Sequence, residues 1–140
     1  MKILVLNGPN LNLLGRREPS VYGSCSFDDY LPRLREAFPG VEIDYFQSNV
    51  EACSSTKCRK RASRMTHSAQ RRRIHAHQRG LHDCIRAITC PVVEVHISNV
   101  HRREDFRHKS MLSAACLGVI CGFGLDSYRL AVSAILIHNS

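Results

Sequence analysis

The sequence predicts an α/β fold, in which a parallel β-sheet carries helices on both faces. Short apolar runs of strand length alternate along most of the chain with stretches of helical periodicity. Strands that alternate with helices imply a parallel sheet with helices on both of its faces. The chain has 140 residues, which suits one domain spanning residues 1–140.

The first third of the chain predicts a strand, a helix and a second strand. Residues 3–6, Ile-Leu-Val-Leu, are too few for a helix and predict a buried strand. Ser26 is typical of a helix N-cap, and apolar residues follow it at helical spacing. These are Tyr30, Leu31, Leu34 and Phe38. Apolar and acidic residues then alternate over 41–45, which predicts the second strand.

The last part of the chain predicts further elements of the same kinds. Residues 82–88 resemble the end of a helix, and residues 91–97 form an apolar, β-branched strand. Residues 118–124 predict another short strand followed by glycines. Asp126 is expected to cap a closing helix. The apolar face of this helix would comprise Tyr128, Leu130, Ala131, Ala134 and Ile135.

Bulk composition limits the classes of protein that this chain can belong to. Its net charge is +8, but residues 52–80 hold nine of the 20 basic residues and none of the 12 acidic ones. Outside that segment the net charge is −1, which argues against nucleic acid as the partner of the domain. No apolar run approaches the roughly 20 residues of a membrane span, and the start lacks the pattern of a signal peptide. We therefore expect a cytoplasmic protein, and its seven cysteines do not predict a disulfide framework.

A polar loop follows the first strand, over residues 7–23. Glycine and proline shape its backbone, and it carries amide, guanidinium and phenol side chains. Open α/β folds bind their ligands at the carboxyl ends of their strands, which is where this loop begins. The loop therefore predicts a binding site for polar groups.

Three stretches together resemble the type II 3-dehydroquinate dehydratases. They are residues 7–23, NGPNLNLLGRREPSVYG; residues 94–107, EVHISNVHRREDFR; and residues 118–124, GVICGFG. The resemblance extends over residues 1–51 and 81–137. It implies a flavodoxin-like three-layer sandwich with a five-stranded parallel sheet. It also implies a homo-oligomer, a dodecamer built from trimers. By the same resemblance the protein needs no metal or cofactor and has no nucleic-acid or membrane partner.

The implied reaction is the anti elimination of water from 3-dehydroquinate through an enolate, which gives 3-dehydroshikimate. It belongs to the shikimate pathway, which leads to chorismate and the aromatic amino acids. By resemblance, Tyr22 is the base. A free phenol has a pKa near 10, so Tyr22 needs adjacent positive charge to act as tyrosinate. The resemblance gives that role to Arg17, and it gives Asn10 the role of holding a water against the enolate oxygen.

The second matching stretch implies the acid half of the same site. His96 corresponds to the general acid that protonates the departing hydroxyl, and Glu94, on the same face of the strand, orients it. Three residues correspond to substrate contacts, namely Ile97, Ser98 and Arg107. Asp83 corresponds to an acid supplied across a subunit interface, although a surface position on a helix explains it equally well.

Residues 52–80 depart from the family pattern. Their composition shows neither helical nor strand periodicity, so the third helix and strand of the fold are doubtful here. The family has a loop with a substrate-binding Asn and His in this region, whereas the matching histidine position is Ala76. A shifted reading frame can encode an amphipathic helix over residues 52–66. A further shift can encode, over residues 67–80, the strand residues Ile-Val-Leu-Asn and then the missing loop. We therefore interpret 52–80 as an out-of-frame stretch.

This segment leaves an alternative function open. The chain could be a catalytically inactive, frameshifted remnant of the fold that binds anions or RNA through its basic residues. A zinc site is not supported, because the cysteine and histidine spacing in 52–80 matches no standard finger.

Overall fold

The computed structural model describes residues 1–9, 11, 14, 25–49, 67–70, 78–102 and 110–139, with the backbone alone at 67–70, 78 and 79. The strands are β1 (Lys2–Asn7), β2 (Glu42–Gln47), β3 (His67–Gln70), β4 (Val92–His96) and β5 (Gly118–Cys121). The helices are α1 (Phe27–Glu36), α2 (Gln78–Ala87) and α3 (Asp126–His138). Two short 3₁₀ turns, Val100–Arg102 and Ser113–Ala115, lie between β4 and β5.

The strands form a parallel sheet in the order β2-β1-β3-β4-β5. This is the strand order of flavodoxin-like folds, in which the direction of winding reverses between β1 and β3. Ligands bind at that reversal, outside the carboxyl ends of the strands. The loop that begins at Gly8 and the end of β4 at His96 both lie at this edge of the sheet.

Alternation along β1 and β4 builds a core on each face of the sheet. Ile3 and Val5 of β1 pack on one face with residues of α1 and α3, and Val93 and Val95 of β4 join them there. Val92 packs on the opposite face with α2. Since helices cover both faces of a parallel sheet, the prediction of an α/β fold is confirmed.

Helix α1 begins where the sequence indicates. Ser26 is the N-cap, and its Oγ accepts a hydrogen bond of 3.1 Å from the backbone N–H of Asp29. The helix buries Leu34 and three neighbouring side chains against the sheet, namely Phe27, Tyr30 and Leu31. The prediction of this helix is confirmed, but the helix ends at Glu36, so Phe38 packs against the core from beyond its last residue.

An aromatic cluster joins α1, β2 and α3. The ring centroid of Phe27 lies 4.6 Å from that of Tyr45 and 4.9 Å from that of Tyr128. The Tyr128 hydroxyl, which is fully buried, donates a hydrogen bond of 2.8 Å to Oδ1 of Asn7. Asn7 is the last residue of β1, so this bond fixes helix α3 against the strand end from which the polar loop departs.

Two sequence expectations need correction. Residues 52–80 do contain a strand, β3, and helix α2 already begins at Gln78. Strand β3 pairs with β1 on one side and β4 on the other, and these ladders use backbone groups that every residue carries. Residues 52–66, over which the sequence makes a helix doubtful, lie outside the described residues.

The closing helix, α3, also differs from its prediction. Asp126 is its first residue, and the N-cap is Leu125, which makes no side-chain capping bond. Leu130 is 44% exposed and does not belong to the buried face. None of the helices in the described ranges is long and apolar enough to cross a membrane.

Candidate active site

A buried carboxylate and imidazole lie at the carboxyl end of β4. Glu94 and His96 are two residues apart in the strand and therefore share one face of the sheet. Glu94 is fully buried, whereas His96 remains 6% exposed at the strand end. The structure joins them by a hydrogen bond of 2.9 Å between Nε2 of His96 and Oε1 of Glu94.

Two serine hydroxyls complete the surroundings of Glu94. Ser110 Oγ donates to Oε1 at 2.5 Å, and Ser113 Oγ donates to Oε2 at 2.5 Å. Both serines come from the connection between β4 and β5. The carboxylate thus has hydrogen-bond donors on each of its oxygens, as a buried anion requires.

These contacts decide the ionisation state of the carboxyl group. Burial raises the pKa of Glu94, but hydrogen bonds from His96, Ser110 and Ser113 and the charge of His96 outweigh burial and lower it below its usual value. Glu94 is therefore ionised at neutral pH and can only accept hydrogen bonds. It follows that Nε2 of His96 carries a proton and that Nδ1 is the ring nitrogen left for other chemistry.

A neighbouring thiol stays neutral. Burial, and then the negative charge of Glu94, raise the pKa of Cys116 to about 12. At neutral pH this thiol holds its proton and supplies no nucleophile to the site.

The backbone that follows β4 is held by the loop after β5. The carbonyl oxygen of His96 accepts hydrogen bonds from the N–H of Gly122 at 3.1 Å and from Oγ of Ser127 at 3.3 Å. The carbonyl oxygen of Ile97 accepts from the N–H of Gly124 at 2.9 Å. Gly122 has a φ of 97°, which favours glycine, and a Cβ built on it would lie 3.3 Å from Cβ of Asn99.

The remaining candidate residues fall into three groups. Ile97 is buried and Ser98 half-buried, and both continue the chain beyond His96 at the same strand end. Asp83 lies on α2, where its side chain is 76% exposed and its carboxylate is 3.2 Å from Nδ1 of His82. Four candidates lie outside the described residues, namely Asn10, Arg17, Tyr22 and Arg107.

The polar loop after β1 begins at the same edge of the sheet as this pair of residues. Strands β1 and β4 are separated by β3 alone, so their ends lie about 10 Å apart. An imidazole at the carboxyl end of β4 can deliver a proton to a ligand bound at this edge of the sheet.

Ser110 and Ser113 were not predicted as site residues from the sequence. A signal for them exists, because a charged residue in an apolar strand requires donors from elsewhere in the chain. The pair Ser110 and Ser113 follows a polar stretch and precedes the next strand. The sequence alone does not connect that pair with Glu94.

Comparisons with known proteins agree with this geometry. The family model described as dehydroquinase class II matches residues 1–136. The chain is similar to a 3-dehydroquinate dehydratase of Chlorobaculum tepidum, with 48% identity over 137 residues covering 96% of this chain and 93% of the relative. A 3-dehydroquinate dehydratase of Rhizobium johnstonii is 48% identical over 136 residues, covering 95% of this chain and 94% of the relative.

Solved structures show the same relationship. A type II dehydroquinase from Propionibacterium acnes superimposes with a TM-score of 0.90 at 37% identity, covering 97% of this chain and 96% of the other. One from Butyrivibrio crossotus gives a TM-score of 0.91 at 33% identity, covering 97% of each chain. Family model, curated relatives and solved structures all lead to one conclusion: the chain belongs to the class II dehydroquinases.

Proposed function

We propose that this protein is a 3-dehydroquinate dehydratase of type II, a lyase of the shikimate pathway. It removes water from 3-dehydroquinate by anti elimination through an enolate and releases 3-dehydroshikimate. The family match over residues 1–136 favours this enzyme over an inactive remnant that binds anions or RNA. The observation that carries the proposal is the hydrogen-bonded pair of Glu94 and His96 at the carboxyl end of β4.

His96 acts as the general acid in this proposal. The departing hydroxyl needs a proton, and an imidazole held at a strand end can donate one from Nδ1. Glu94 receives the Nε2 proton in its hydrogen bond, so it fixes the ring orientation and stabilises the imidazolium before transfer. After transfer His96 is neutral, with its proton retained on Nε2.

The base half rests on residues of the polar loop. Tyr22, as tyrosinate beside Arg17, removes the proton next to the ketone, and Asn10 holds a water that stabilises the enolate oxygen. Arg107 binds a polar group of the anionic substrate, with Ile97 and Ser98 contributing backbone and hydroxyl contacts. Asp83 reaches the site of a neighbouring subunit.

The active form in this proposal is a homo-oligomer, a dodecamer of trimers, in the cytoplasm. Large apolar side chains at and beside edge strand β5 are exposed and support self-association. Leu117 is 48% exposed, Val119 is 45% exposed and Phe123 is 64% exposed. The exposure of Asp83 likewise suits a residue that serves a neighbouring subunit. No metal or cofactor takes part.

The test is turnover of 3-dehydroquinate, followed by the absorbance of the enone product. We expect turnover by the chain with residues 52–80 as printed or, where resequencing shows that stretch to be out of frame, by the frame-restored chain. In the active protein His96→Ala should lower kcat by about 10²–10⁴-fold, the usual contribution of a general acid. His138→Ala replaces an exposed histidine at the end of α3 and should leave kcat unchanged. Light scattering on the same preparation measures the mass of the oligomer. Full activity of His96→Ala would exclude His96 as the acid, and a monomeric active enzyme would exclude the assembly.

A further inference from the structure

We propose that Ser110 and Ser113 are positioning residues, which hold the Glu94 carboxylate in the orientation that His96 requires. This inference rests on the proposed function of the Glu94–His96 pair. It adds two side chains, from a segment outside β4, to the set of residues on which the acid step depends.

The two serines hold different oxygens of one carboxylate. Ser110 shares Oε1 with His96, and Ser113 is the donor to Oε2 among the residues that the structure describes. The terminal torsion of a glutamate is soft, so a carboxylate held at one oxygen can still rotate. Because both oxygens of Glu94 are held, Oε1 stays 2.9 Å from Nε2 of His96.

The direction of the hydrogen bonds is also fixed. Ser110 Oγ accepts a hydrogen bond of 3.2 Å from the backbone N–H of Leu112, which leaves its own hydrogen for Glu94. Leu112 is buried and packs with Leu81 and Val92 on the α2 face of the sheet. This packing anchors the 110–113 segment beside β4, so the serine hydroxyls are preorganised.

The serines replace the water that a carboxylate would otherwise bind. Glu94 is fully buried, so each of its oxygens depends on protein donors to remain charged. When one hydroxyl is lost, the charged form is stabilised less and Glu94 takes up a proton at a higher pH than before. A protonated Glu94 cannot hold the imidazolium, so catalysis fails at the acid end of the pH range first.

The decisive variant is Ser113→Ala, which removes the donor to Oε2 and leaves the Ser110–Leu112 bond in place. We expect kcat about tenfold lower, KM unchanged, and the acid limb of the kcat profile moved to higher pH. Ser113→Thr retains a hydroxyl and should restore most of kcat and the natural acid limb. Ser133→Ala is the matched control, since it removes a half-buried serine of α3 and should behave as the natural enzyme.

A second experiment asks whether the serine acts through Glu94. In a Glu94→Gln background the carboxylate charge is absent, so adding Ser113→Ala should lower kcat far less than it does in the natural enzyme. If Ser113→Ala lowers kcat by the same factor in the Glu94→Gln background as in the natural enzyme, the inference is wrong. A Ser113→Ala enzyme with natural kcat would also overturn it, as would one whose kcat falls equally at every pH because part of the protein is misfolded.

The two proposals fail in different ways. If His96→Ala and Glu94→Gln retain full activity, the proposed acid half is wrong, and the role of the serines falls with it. If those two variants lose activity and Ser113→Ala, alone and combined with Ser110→Ala, does not, only the positioning inference is wrong.

Discussion

Strands β3 and β4 are neighbours in the sheet, yet their sequences differ sharply. β4 reads Val-Val-Glu-Val-His, and all five of its residues are buried. β3 reads His-Ser-Ala-Gln and lies between β4 and β1, in which every residue except Lys2 is buried. In register, position 68 lies between Val5 and Val93. The central strand of the sheet is thus its most polar strand in sequence.

The difference shows that the position of a strand in the sheet and its contribution to stability have separate causes. Backbone pairing with β1 and β4 places β3, because N–H and C=O groups are the same whatever the side chains are. Stabilisation by apolar burial depends on the side chains, and parallel strands in the centre of a sheet are normally apolar throughout. β4 follows that pattern, and its polar residues Glu94 and His96 are hydrogen-bonded to each other.

This contrast bears on our proposal that residues 52–80 are out of frame. The shifted frame permits Ile-Val-Leu-Asn at positions 67–70, and these are the four positions of β3. Such a sequence would match the apolar character of β1 and β4. The position of β3 therefore supports the proposal, and resequencing the gene across this window tests it. A clean frame that encodes the same residues would contradict it.

The largest expected effect is a gain in stability when the residues of β3 are made as apolar as those of β4. The triple variant His67→Ile, Ser68→Val, Ala69→Leu adds apolar side chains to the central strand and should raise the free energy of unfolding by about 3–5 kcal/mol. Urea denaturation at a fixed protein concentration measures it. As a control, His138→Ile adds an apolar side chain at the exposed end of α3 and should change stability by about 0.5 kcal/mol at most. An unchanged or lower stability of the triple variant would mean that the centre of the sheet does not favour apolar residues there.

The same contrast explains what could be predicted from the sequence. β1 and β4 were predictable because the sequences of buried parallel strands are runs of mostly apolar residues. β3 was not, because its place is set by pairing with both neighbours while its residues carry no strand pattern. Within the site, the spacing of Glu94 and His96 indicated a shared face of one strand. Ser110 and Ser113 lie 16 and 19 residues beyond Glu94, and only the folded connection brings them to it.

We expect an intermediate loss of stability and activity from a change at the end of β4, whose backbone is held by hydrogen bonds from the loop after β5. Gly122→Ala places a Cβ 3.3 Å from Cβ of Asn99 at a positive φ, so the backbone must shift where it bonds to the His96 carbonyl. We expect a loss of about 1–2 kcal/mol in stability and a several-fold lower kcat/KM. Gly118→Ala is the matched control on β5, because a Cβ there meets nothing within 4 Å. Equal behaviour of the two variants would show that the strand end does not depend on Gly122.

The smallest effect concerns the buried charge that distinguishes β4, and it appears as a pH dependence. The pKa of Glu94 is lower in the folded protein than its usual value of 4.5, so ionised Glu94 stabilises the fold above that pH. As pH falls below about 4.5 and through the lowered pKa, this stabilisation is lost. Glu94→Gln carries no titrating group, so its stability should fall less between pH 7 and pH 3 than that of the natural protein. Urea midpoints across this range measure both slopes. If the urea midpoints of the two proteins fall equally with pH, the serine and imidazole donors do not favour the charged form of Glu94. The buried carboxyl group of β4 would then gain no stabilisation from its hydrogen bonds.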